Sequence, residues 1–217
     1  MKKLIPFLFL FCSVLIFSQK TYEFDFLTKF KTSLIDDKKS SRTTEAITYF
    51  DIDNFSYFLK VSKNNNEYYA KIIDFENNLF HSFKVIEHKK GSEIYFNFVY
   101  ESSREFKQNL SKNVWSNFTE ITTDGKEKHT LLQIFQNKKS KKSLDFQLTL
   151  QTSNVPLFTI FKLSFLHPFE SVKSIDMKEN YIVTKAVRDD GCLYTLLEYK
   201  NVDFVVTVPK VLNYSKF

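Results

Sequence analysis

The sequence predicts an all-β protein: one large, curved antiparallel meander sheet, arranged as a partly open barrel or a two-layer sandwich. Three observations predict it. Apolar side chains recur at every second residue through run after run, the period of a strand with one buried face. Polar connectors separate the runs at spacings of roughly 10–15 residues, and all three glycines, Gly91, Gly125 and Gly191, fall in those connectors. No segment shows a convincing amphipathic helix.

The chain opens on a leader. Lys2 and Lys3 precede an apolar run from Leu4 to Phe17, 14 residues long, which polar Ser18, Gln19 and Lys20 end. At about 1.5 Å per residue the run reaches roughly 21 Å, short of the roughly 30 Å hydrocarbon core of a bilayer. Its length matches the apolar stretch of a secretory signal peptide. We expect cleavage after Ser18, so that residues 1–18 are a removed signal peptide and 19–217 a single β-rich domain. Cys12 follows the bulky Phe11 in the middle of the run, which disfavours a lipoprotein anchor.

About 199 residues then remain, enough for one sizeable core. Removing Lys2 and Lys3 from the 31 bases leaves 29 against 25 acids, a net +4 spread along the chain. That balance lacks the concentrated basic face of a nucleic-acid binder, so no nucleic-acid partner is expected. Cys192 is the single cysteine left, and no intrachain disulfide can form. Asp189 and Asp190 beside it disfavour the thiolate, so we expect a small, partly buried apolar residue at the start of a strand. Phe (25) and Tyr (11) dominate over the one Trp. Part of that excess has the Phe/Lys/Asn/Ile/Tyr signature of an AT-rich genome.

Along the chain, "FDFLTKFKTSL" reads as a long first strand, although Phe24, Leu27, Phe30 and Leu34 also fit a helical spacing. "AITYFDI" follows, and "FSYFLKVS" then sets Phe55, Tyr57, Leu59 and Val61 on one face. "EYYAKIIDF" and "LFHSFKVIE" continue the pattern. "SEIYFNFVYE" places Ile94, Phe96, Phe98 and Tyr100 together, with Tyr95, Asn97 and Val99 opposite. "VWSNFTEI" and "TLLQIFQ" flank Asp124-Gly125, a type I′ hairpin dipeptide. "LDFQLTLQT" alternates cleanly, with Phe146, Leu148 and Leu150 inward. "LFTIFKLSF" reads as a strand apolar on both faces. "NYIVTKAV", "CLYTLLEYK" and "VDFVVTV" complete the series. Pro156 and Pro168 favour bends or edges, since proline cannot donate to a ladder. "IDDKKSSRTTE" reads as a polar, charged loop.

The chemistry that the residues withhold is as informative. No glycine spacing cradles a phosphate, and no GxSxG elbow is present. His81, His88, His129 and His167 are isolated, without HExxH or a His/Cys cluster, and His81 and His129 read as ordinary surface or half-buried strand residues. "DIDNF", with Asp51 and Asp53, begins like a calcium loop but has Phe55 at a ligand position and no glycine. The pairs Asp36/Asp37 and Asp189/Asp190 read as solvated loop charges. Lys138, Lys139, Lys141 and Lys142 form the densest positive patch, the tip of a hairpin. We therefore expect no catalytic residue, no metal and no cofactor, while the ligand-binding residues stay unassigned.

The leader of Lys-Lys, apolar run and Phe17-Ser18-Gln19, the Phe/Asn/Lys-rich meander and the tail "YTLLEYKNVDFVVTVPK" resemble those of secreted β-rich proteins of the Bacteroidota. The strand pattern is also loosely similar to envelope carriers of the lipoprotein-localisation type, in which a curved antiparallel sheet shelters an acyl chain. Those carriers lid the sheet with helices. The resemblance implies a secreted or periplasmic protein and transfers no binding residue. Taken together, the expectation is an exported, non-enzymatic binding or interaction protein of the cell envelope, holding an apolar ligand such as a lipid, or a partner envelope protein, on the curved sheet. The alternatives are an envelope hydrolase with acidic residues dispersed over strands, and an outer-membrane β-barrel. Lys60, Lys71 and Lys84, in mid-strand, weigh against a lipid-facing surface.

Overall fold

The computed structural model describes residues 19–35, 43–64, 67–91, 93–107, 114–135, 143–166, 175 and 177–215. The leader with Cys12, Asp36 and Asp37, the four lysines at 138, 139, 141 and 142, His167 and Pro168 lie outside the described residues.

Twelve strands form one antiparallel sheet that is not closed into a barrel. They are β1 (Gln19–Leu34), β2 (Thr44–Phe50), β3 (Tyr57–Asn64), β4 (Glu67–Asp74), β5 (Leu79–Lys90), β6 (Glu93–Glu105), β7 (Trp115–Phe118), β8 (Thr122–Asp124), β9 (Glu127–Phe135), β10 (Ser143–Thr152), β11 (Tyr181–Arg188) and β12 (Cys192–Pro209); the described residues also form one helix, α1 (Phe158–Phe165). The sheet order is β6-β5-β4-β3-β2-β1-β12-β11-β10-β9-β7, and β8 also pairs with β9. The first and last strands are therefore neighbours at the centre. One meander runs outward from β1, and the other leads back from the far edge to β12.

β1 and β12 pair from Gln19↔Pro209 to Leu34↔Cys192, with register shifts at Phe24/Phe26 and Lys29/Phe30. Each shift re-aims the side chains that follow. Before the first, Tyr22 and Phe24 enter one core. After it, the even residues Phe26 and Phe30 enter cores on the other face, while Leu27 keeps to the first. β12 swaps likewise: Cys192 and Tyr194 serve one face, whereas Val206 and Val208, also even, serve the opposite one. The pair thus carries apolar side chains on both faces because it has a core on each.

The two halves fill those cores differently. The half built from β10, β11 and the start of β12 is covered by α1, whose Phe161 packs edge-on against Phe146 at 5.8 Å between ring centroids. Phe165 lies 4.7 Å from Phe30 and 4.5 Å from Tyr194. "FTIFKLSF" is therefore a helix and not the strand its composition predicts. Its core residues Phe158, Ile160 and Phe161 pack into both the Phe146 cluster and the Phe26/Phe50/Phe58 cluster. In the other half, β2–β6 curl until the edge strand β6 faces β12. Phe98 stacks on Phe204 at 5.9 Å, and Phe204 meets Tyr49 at 4.7 Å. One isolated bridge, Ser103↔Tyr214, ties β6 to the segment after β12.

Local turn chemistry follows the sequence with one adjustment. Asp124 pairs with Glu127, so Gly125 is the first central residue of the turn, with φ +60. Among the described non-glycine residues only Asn78 has positive φ, so Lys126 does not share it. That is the type II′ pattern rather than I′. Cys192 begins β12, as expected, and is buried rather than partly buried.

Because both cores share β1 and β12, neither half should unfold alone. We expect Phe24→Ala and Phe146→Ala each to cost about 3–5 kcal/mol, shifting one common denaturation midpoint seen by both far-UV circular dichroism and tyrosine fluorescence. Two separated transitions in either variant would contradict the coupling.

Candidate functional site

The interior of the curled half has three tiers. At its base, strand alternation points Tyr22 (β1), Asp74 (β4), His81 (β5) and Ser103 (β6) inward, each at 1% exposure or less. Burying such groups among phenylalanines is costly unless each is hydrogen-bonded, and here they bond to one another. Lys20 Nζ reaches Asp74 Oδ2 at 2.6 Å, and Tyr22 O–H donates to the same oxygen at 2.7 Å. Asn77 adds its backbone N–H at 2.9 Å and its side-chain amide. His81 Nε2 lies 2.8 Å from the Tyr22 oxygen, and Nδ1 lies 2.7 Å from Ser103 Oγ. Tyr100 O–H is 2.7 Å from Ser103 Oγ, and its oxygen accepts the Asn213 N–H at 3.1 Å.

One set of proton positions satisfies the whole chain. Tyr22 spends its proton on Asp74, so His81 must carry hydrogen on Nε2 and accept from Ser103 at Nδ1; Ser103 in turn accepts from Tyr100. Every donor then points toward the carboxylate of Asp74. Burial alone would raise that carboxyl's pKa, but the bonds from Lys20, Asn77 and Tyr22 hold it below the usual range. Burial pushes the His81 imidazole down to about 4, the Lys20 charge adding to the shift and Asp74 opposing it. Burial first, then the bond to Asp74, drives the Tyr22 phenol well above its ordinary value.

Above this base lies an aromatic belt. Phe24, Leu59, Ile72 and Phe83 are buried there, and Phe98 and Phe204 close across the interior. Above the belt the half opens. A cavity of about 690 Å³ is lined by Ile47, Val61 and Tyr68 and rimmed by Lys29, Glu45 and Lys63, with Thr43 and Thr44 beside them. Lys29 pairs with Glu45 at 2.7 Å. The Lys63 ammonium stands 5.0 Å from the centre of the Tyr68 ring, a cation–π contact that holds it at the rim.

Apart from His81, the described residues singled out from sequence for their chemistry fall elsewhere. Asp51 caps its own turn, accepting the amides of Asp53 and Asn54 at 3.0 Å and the Tyr57 hydroxyl at 2.9 Å, which leaves no calcium loop. Asp190 bonds Arg188 and the Cys192 amide. His129 is partly exposed, 3.8 Å from Glu127. His81 departs from its expected role as an ordinary surface or half-buried strand residue, being fully buried at the centre of the polar base. A signal existed: His81 shares the phase of Phe83 and Val85 in β5. Among the described residues no group of three His, Cys, Asp or Glu could hold a metal ion. Ser103 and His81 resemble a nucleophile and its base only in contact distance, since each is 1% exposed. No helix among the described residues is long and apolar enough to cross a membrane.

No protein-family profile matches the chain, and no curated protein does. Two solved structures of PNGF-II, in C2 and P21 crystal forms, are similar at 14% identity with TM-scores of 0.39 and 0.38. Each match covers 82% of this chain and 28% of the PNGF-II chain. Likeness at that level decides nothing about what this chain does.

The base should make the protein acid-sensitive. His81 binds a proton near pH 6.5 when unfolded but only near 4 when folded, so the unfolded state takes up more protons between those values. Stability should be fully present above about pH 6.5 and fall as pH drops toward 4, by up to roughly 3 kcal/mol. Asp74 adds a further loss below its unfolded value of 3.8, as its depressed folded pKa is crossed. Urea denaturation across this range should show the His81 slope, and His81→Gln should remove it. An unchanged slope in that variant would contradict the assignment.

Proposed function

We propose that the protein is an exported, non-enzymatic binding protein of the cell envelope that takes the apolar tail of an amphipathic ligand, such as a lipid, into its curled half. The observation that carries this reading is the open upper tier. A cavity of about 690 Å³ falls within the roughly 300–1,000 Å³ common for small-molecule sites. Its floor of Ile47, Val61 and Tyr68 passes directly onto the aromatic belt, where Phe96 and Phe98 are only partly buried. Such a surface gains free energy when an alkyl chain displaces water from it.

The rim favours an anionic head. Lys29 and Lys63 stand against the single carboxylate of Glu45, and Glu45 already engages Lys29. Lys63 is thus the cation left to meet a carboxylate or phosphate, at the edge of an apolar space that lowers the local dielectric. The polar base plays a different part: it seals the opposite end, so a tail enters from one side only. Among the described residues, a partner chain along the sheet edge has no comparable built feature to support it, and the dispersed-acid hydrolase finds no accessible pair of carboxylates in this interior.

Native mass spectrometry of the protein purified from its own envelope should reveal a bound amphiphile, recovered as lipid on extraction. Ile47→Trp, which fills the mouth, should weaken uptake of a fluorescent fatty acid about tenfold or more with an unchanged melting temperature. Lys63→Glu should weaken a fatty acid more than the corresponding alcohol. A ligand-free wild type that also takes up no probe would overturn the reading.

A further inference from the structure

The opposite face of the same strands carries a second cavity, of about 380 Å³, which the proposed ligand site does not use. Leu59 and Val61 face the aromatic interior, so Lys60 between them points outward. In the register of β3 and β4, Lys60 stands directly opposite Lys71, and the row continues through Thr48 on one side and Ser82 on the other. Directly opposed residues of an antiparallel pair have Cβ atoms only about 4.5–5.5 Å apart, and like charges there are destabilising. Neither ammonium has an ion pair with a carboxylate among the described residues. β3 and β4 are interior strands of the sheet, so these lysines do not serve to guard an edge.

The surroundings complete a site. Ser62, Tyr69 and Ser82 bring hydroxyls to the cavity that Lys60 and Lys71 line, and Glu101 forms another wall. The Lys71 ammonium lies 5.3 Å from the Phe80 ring centre, a cation–π contact that positions it. Burial, then the charge of Lys71, lowers the pKa of Lys60, the expected response of a cation that lacks its counter-ion.

We infer that Lys60 and Lys71 form a binding site for the phosphate of a phosphorylated polyol, with the serine hydroxyls as further donors and Glu101 accepting from a ligand hydroxyl. Two cations match the charge of a phosphate monoester, and their mutual repulsion is relieved when it binds. A lone inorganic phosphate would leave Glu101 facing an anion, so a polyol ester fits better. The phosphate monoester could come from a free sugar or glycerol phosphate, and a glycerol-phosphate lipid headgroup presents closely related chemistry.

Calorimetric titration with glycerol 3-phosphate should show saturable binding, tighter than for inorganic phosphate. Lys60→Gln and Lys71→Gln should each weaken it about tenfold or more, whereas Lys60→Arg should retain it. In phosphate-free buffer both glutamine variants should melt at or above the wild-type temperature, because the repulsion is gone. Phosphatidylglycerol vesicles that bind in a Lys60- and Lys71-dependent way, without uptake of free glycerol 3-phosphate, would assign the same site to a lipid headgroup. Absence of binding to both probes, or binding that survives both glutamine substitutions, would overturn the inference. Failure here leaves the cavity at Ile47 and Lys63 untouched, since the two lie on opposite faces.

Discussion

The pairing of β1 with β12 is the constraint on which the rest of the molecule depends. It joins the first and last strands over fifteen matched positions, and each meander hangs from one side of it. Closing a contact between residues so distant in sequence costs chain entropy that local hairpins do not pay. That cost is offset because the pair is buried on both faces. Phe24 and Val206 serve the aromatic interior, and Phe30 and Tyr194 serve the core beneath α1. Without the register shifts at Phe24/Phe26 and Lys29/Phe30, strict alternation would hold each strand's apolar set to one face throughout. One of the two cores would then lose its wall.

The consequence for function is an asymmetry between the halves. α1 covers the core of its half with Phe158, Phe161 and Phe165, giving a layered packing there. Among the described residues no helix lies over the interior of the other half, and rings from β6 and β12 fill it only as far as the belt. Below the belt the cross-section is occupied by a hydrogen-bonded chain from Asn213 to Asp74. Above it, space remains. The polar base is consistent with a structural role: its members come from four strands, so they fix how far the sheet curls, and a wrong register would leave buried donors unpaired at about 1–3 kcal/mol each.

Much of this fold is written in the local sequence. β10 reads directly from "LDFQLTLQT", and the polar connectors mark most of the turns. α1 does not, because Phe158, Ile160, Phe161 and Phe165 lie on nearly every side of a short helix buried between two cores. A buried helix turn and a buried strand share the same apolar composition, and eight residues are too few for periodicity to separate them. The site is less legible for a related reason. Tyr22, Asp74, His81 and Ser103 are separated by 22–59 residues along the pairs that bond, so no window of sequence contains the cluster. Lys60 and Lys71 were visible as mid-strand lysines, but their opposition is a fact of register, which alternation alone does not set.

Amide hydrogen exchange followed by NMR tests the central role of the β1–β12 pair most directly. The account predicts that the amides of Tyr22–Thr32 and their partners in β12 exchange only through global unfolding, with the slowest rates in the chain and the same denaturant dependence as the midpoint. Exchange of those amides by a lower-energy local opening, while β3–β5 or β9–β10 stay protected, would contradict it.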